Sequence, residues 1–121
     1  MDLVQQVVEA LGTNEQRATD GVGLLLLAIR FTTDQQTFDA VTQAYPDAQS
    51  LLTRALAAGG RTAEMLAVAN PAAVKKQLEK AGYAEAELEQ LGRVVTHALA
   101  SALGEAAGAR VRAAIREVTA A

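Results

Sequence analysis

Cysteine is absent from the 121 residues, so neither disulfides nor cysteine-ligated zinc or iron–sulfur sites can form, and the redox compartment is unmarked. Aromatic residues make up only 3%, and His97 is the single histidine. A nucleic-acid surface combines cations with stacking rings, and a chain of net charge -3 with two Tyr and two Phe supplies neither in quantity. No nucleic-acid partner is therefore expected. The longest strongly apolar stretch, Val22 to Ile29, is eight residues long, well short of the ~20 that cross a bilayer. It predicts a buried helix and no integral membrane segment. No basic segment precedes an apolar run near Met1-Asp2, so no signal peptide is recognised and the cytoplasm is the default location, with export left open.

Half of the residues are hydrophobic and alanine alone contributes roughly a fifth, a balance that favours close-packed helices. β-Branched and aromatic residues are too scattered for a sheet. The length suits a single domain, residues 1–121, an all-α compact bundle of about six to seven helices. Asp2 with Gln5 predicts a capped first helix with Leu3, Val4, Val7, Val8 and Leu11 inward, ending near Gly12. Thr13 with Gln16 repeats the pattern and opens a second helix to about Phe31. This helix is apolar on every face over Val22–Ile29, which predicts that it lies at the centre.

Thr33 with Gln36 predicts a third start, followed by Phe38, Val41 and Tyr45 at helical spacing and a stop at Pro46. A fourth helix from Pro46 or Asp47 carries Leu51, Leu52, Ala55 and Leu56 inward and ends at Gly59-Gly60. The segment 59–62 predicts a hinge between halves 1–58 and 63–121. A short helix is expected from Thr62 to Val68, and Asn70-Pro71 supplies a cap and a first-turn proline for a helix ending near Gly82. A long amphipathic helix follows from about Ala84 to Leu103, and a last one runs from Glu105 to Thr119 over Val111, Ile115 and Val118. Displacement by 70 residues aligns Val8–Gly12 with Leu78–Gly82 and Leu24-Leu25 with Val94-Val95, so the halves have the outline of a duplication.

The inventory for catalysis is thin. His97 has Arg93 and Ser101 one turn away, and no Asp or Glu stands at i±3 or i±4 to orient its ring. Val94 occupies the position that a di-iron Glu-x-x-His motif would give to glutamate. Glu85, Glu87 and Glu89 could offer oxygen ligands, although an acidic first turn complementing the helix dipole explains them more simply. Gly21-Val22-Gly23 lacks a preceding strand and a third glycine, so it predicts close helix approach and no nucleotide loop. Gly104–Gly108 predicts a turn and a helix start. Arg110, Arg112 and Arg116 are the densest basic cluster. Neither catalytic, cofactor nor metal residues are assigned.

The run Gly21–Ala28, followed by Phe38-Asp39-Ala40-Val41 and Ala44-Tyr45-Pro46-Asp47 with Leu51-Leu52, resembles the bacterial VcgC/VcgE family over residues 3–56. Beyond Gly82 the resemblance is one of outline. It implies a small helical domain without an assigned activity. A looser similarity links the chain to bacterial tandem helical-repeat proteins.

Apolar helix faces in excess of what one small bundle buries predict a non-enzymatic module for protein–protein interaction or self-association, with a homo-oligomer or another protein as partner. The alternative is a binder of a small apolar molecule or lipid between the central helix and the Leu88–Leu103 helix. The central helix itself generates a stability test. Leu25→Ala or Leu26→Ala should cost ~2 to 5 kcal/mol, whereas Gln35→Ala or Lys76→Ala should shift stability by less than ~0.5 kcal/mol, as read from chemical denaturation.

Overall fold

A computed structural model describes residues 2–59 and 71–120. Among these residues the chain forms seven α-helices and no strand. They are α1 (Leu3–Leu11), α2 (Glu15–Thr32), α3 (Gln35–Ala44), α4 (Ala48–Gly59), α5 (Pro71–Lys80), α6 (Glu85–Leu103) and α7 (Glu105–Ala120). Gly60, the expected helix from Thr62 to Val68 and the Asn70 cap lie outside the described residues, as does the side chain of Leu56.

The first start is where the capping pattern put it: the Gln5 amide donates to the Asp2 carboxylate at 2.7 Å, and Gly12 closes α1 at φ 65°. The next two starts fall one residue later than expected. Asn14, not Thr13, caps α2 by accepting from the Arg17 amide at 2.8 Å, and Asp34, not Thr33, caps α3 by accepting from the Thr37 amide at 2.7 Å. Asn and Asp are better caps than the β-branched threonine, so the chain uses them where both stand side by side. Thr33 instead closes α2, its hydroxyl donating back to the Ile29 carbonyl. Helix α4 also begins later than expected. Pro46 and Asp47 form a turn in which the Ala48 amide donates to the Tyr45 carbonyl at 2.9 Å.

Helix α2 is the axis of the molecule, packed against each of the other six described helices. Val22 and every residue from Leu25 to Ile29 are fully buried, as the unbroken apolar run requires. The segments before and after residues 59–71 interleave: α1 rests on both α2 and α6, and α5 rests on both α2 and α7. The aliphatic stripes predicted to exceed the capacity of the bundle are largely absorbed into it. Among the described residues the large hydrophobic side chain left exposed is Phe31, at 44%, with the Arg30 guanidinium 5.8 Å from its ring centroid.

Two glycines set how closely α2 is approached. A Cβ on Gly23 would stand 2.9 Å from the Leu51 carbonyl oxygen and 3.2 Å from the Ala55 Cβ, and one on Gly21 would collide with the Tyr83 hydroxyl. The first obstacle is backbone, which cannot swing aside as a flexible side chain could. Gly23→Leu should therefore destabilise by about 1–3 kcal/mol through overpacking, despite the gain in helix propensity. Denaturation of this variant checks the packing, and a protein as stable as the parent would mean that α4 does not approach α2 in this way.

Candidate functional site

The outer face of α6 carries both signs of charge beside an open groove. Leu88, Leu91, Val95, Ala98 and Leu99 turn inward, so Glu85, Glu89, Arg93 and His97, spaced four apart, form an exposed row along the opposite side. Helix α7 returns antiparallel beside this row, since Gly92 lies against Ile115 and Thr119 while Ala100 lies against Gly108. The missing side chains permit that approach. A Cβ on Gly92 would sit 3.1 Å from methyl carbons of Ile115 and Thr119, and one on Gly108 would sit 3.0 Å from the Ala100 Cα. Gly104 makes the expected turn at φ 88°, whereas Gly108, expected only to help start α7, serves close packing within it.

Between α6 and α7 runs an open groove of about 530 Å³, with Arg93 and His97 on one wall and Arg112 and Arg116 on the other. A second groove of about 520 Å³ lies on the far side of Arg93 and His97, against Gln6, Glu9 and Ala10 of α1. Arg93 and His97 therefore stand on a ridge flanked by two grooves. Arg93 also approaches Glu89 at 4.0 Å, but their side chains are 81% and 63% exposed, so the pair contributes little stability. The expected arginine cluster is divided. Arg112 and Arg116 line the groove, while Arg110 points to the start of α3, 3.5 Å from Asp34 and 3.3 Å from the Thr37 hydroxyl. Hydrogen bonds from Thr37, with Arg110 nearby, hold the Asp34 carboxyl below its ordinary range.

His97 is exposed, and among the described residues no hydrogen bond or ion pair orients its ring. The three glutamates of the first turns of α6 are not brought together as ligands: no group of three or more His, Asp or Glu suited to a metal occurs among the described residues. Glu87 serves another purpose. Its carboxylate accepts from the Ala84 amide at 3.1 Å, closing the start of a helix whose cap position carries no side-chain acceptor, and pairs with Arg17 at 2.8 Å. The Arg17 guanidinium also stacks 4.6 Å from the Tyr83 ring centroid and donates to the Gly82 carbonyl. In return the Tyr83 hydroxyl donates to the Arg17 carbonyl at 2.6 Å. This tie between α2 and the α5–α6 turn joins residues more than sixty positions apart, and no local motif announces it.

The tie has electrostatic consequences. The hydrogen bond from Arg17 lowers the Glu87 carboxyl and raises the guanidinium, whereas burial pushes the Tyr83 phenol from 10.0 up to about 12 against the opposing pull of Arg17. Tyr83 also fills space. With Leu91, whose methyl would be 3.1 Å from a Cβ on Gly21, it packs between α2 and α6 at that glycine. No helix among the described residues is long and apolar enough to cross a membrane.

Comparison with protein-family models, with curated proteins and with solved structures finds no match. The VcgC/VcgE resemblance therefore rests on the residues quoted for it alone.

The buried phenol yields a stability test. Its raised ionisation disfavours the phenolate in the folded state, so the contribution of Tyr83 is complete below about 10 and is lost as pH rises from there towards about 12. Tyr83→Phe should cost about 1 kcal/mol near neutral pH through the lost hydrogen bond. It should also flatten the alkaline fall in stability, which denaturation at a series of pH values would read directly.

Proposed function

We propose that this chain is a non-enzymatic helical module that binds protein, and that its contact surface is the α6 ridge with the grooves on either side. The observation that carries this reading is the concentration of Arg93, His97, Arg112 and Arg116, beside Glu89, around one open groove of a chain whose net charge is -3. Arg93 meets Glu89 only at 4.0 Å on open surface, and among the described residues no carboxylate pairs with Arg112 or Arg116 as Glu87 does with Arg17. Interfaces recruit arginine because its planar fork binds carboxylates while its stem covers apolar surface. The floor suits a neighbouring helix, because Thr96 and Thr119 present short side chains to the open groove.

Support for a non-catalytic role comes from the disposition of the titratable groups. The histidine carries no orienting carboxylate, Glu87 is committed to Arg17, and Glu85 and Glu89 lie on open helix surface. The ridge is tested by placing a photoreactive residue at Thr96 in the groove and, separately, at Gln49 on exposed α4. Irradiation in the native cell should give a discrete protein adduct from position 96 and none from position 49. Equal labelling from both positions, or none from 96, would overturn the assignment of the surface.

A further inference from the structure

We infer that the partner seated on the ridge is a second copy of this chain, docked antiparallel so that Glu89 of each copy meets Arg93 of the other and Glu85 meets His97. This rests on the reading of the ridge as the contact surface. The order of charge along the row favours it. Two acids, Glu85 and Glu89, are followed by two bases, Arg93 and His97, at a constant spacing of four residues. Reversing the direction of such a row about its midpoint, between Glu89 and Arg93, lays acid on base at all four positions. A parallel neighbour would lay like charge on like.

The groove extends the complementarity beyond the row. In the antiparallel hairpin Arg116 stands opposite the level of Arg93, and Arg112 opposite that of His97. Carboxylates of a second ridge entering the groove would therefore have cations on both walls. An acidic helix of a different protein would satisfy this basic end but would approach Glu85 and Glu89 unfavourably, whereas a second copy satisfies both ends at once. Rows spaced by four are also the ridges that interdigitate in the commonest class of helix packing. Exchanging the internal Glu89–Arg93 contact for the external one sacrifices little, because that contact is long and exposed. The face is mainly polar, with Val94 only half-buried and Ile115 already covered, so the association is charge-driven and sensitive to salt.

Sedimentation equilibrium of the full chain decides the matter. At low salt, from micromolar to submillimolar concentration, the chain should pass from monomer to dimer, and ~1 M salt, where screening acts within ~3 Å, should weaken the dimer at least ~tenfold. Glu89→Lys and Arg93→Glu should each yield a monomer, since self-pairing then sets lysine on arginine or glutamate on glutamate. Mixing the two variants should restore the dimer, which also shows that both are folded, with circular dichroism as a second check. A parent chain that stays monomeric at every concentration overturns the pairing, as does a dimer indifferent to both reversals or a mixture that remains monomeric. A monomeric parent that still gives a photoadduct with another protein from position 96 would overturn the self-pairing while leaving the ridge as the contact surface.

Discussion

The architecture follows from the need to enclose α2 on every side. A helix whose residues from Val22 to Ile29 include no polar side chain has no face suited to water, so neighbours surround it, with Leu24 alone of that run partly buried. That is why its packing partners come from both ends of the sequence and why glycine occurs where α4 and Tyr83 press against it. Enclosure also dictates what is left outside. Once Leu88, Leu91, Val95 and Leu99 have turned towards the core, the helical repeat places Glu85, Glu89, Arg93 and His97 on the surface together.

The tie at Arg17 shows how a charge is accommodated close to such a core. The guanidinium is neutralised by Glu87, covers the Tyr83 ring and reaches the Gly82 carbonyl, although its buried Nε has no hydrogen-bond acceptor among the described residues. Several partners converge on one side chain, so the α5–α6 turn is fixed in position as well as in distance. Arginine suits this role better than lysine because a planar fork can address a carboxylate, a carbonyl and a ring at the same time. The register of α6 against α2 depends on that fit, and with it the direction in which the outer row of α6 faces.

Helix positions and the inward stripes were legible because hydrophobic periodicity is a local property, and the central place of α2 followed from the length of its apolar run. Two starts were misplaced by one residue, since a threonine and a better-capping Asn or Asp stand adjacent and the pattern alone does not choose between them. The roles of Gly21 and Gly23 were legible in kind, but their neighbours Tyr83, Leu51 and Ala55 were not. The Arg17–Tyr83–Glu87 contacts join distant segments and left no trace in spacing. The outer row lay in view as Glu85, Glu89, Arg93 and His97, yet its meaning depends on Arg112 and Arg116 being brought alongside by α7, which only the fold reveals.

The interleaved packing also fixes the order in which the protein can mature during synthesis. Helix α2 is complete at residue 32, but part of its enclosure is supplied by α5, α6 and α7, the last of which ends at Ala120. At the usual ~5–20 residues per second, the ribosome needs on the order of ten seconds to deliver that covering. Throughout that interval the most apolar segment of the chain waits for its neighbours. A nascent polypeptide of this design therefore offers a leucine-rich helix to chaperones, and attains its native burial only when its carboxyl-terminal helices emerge.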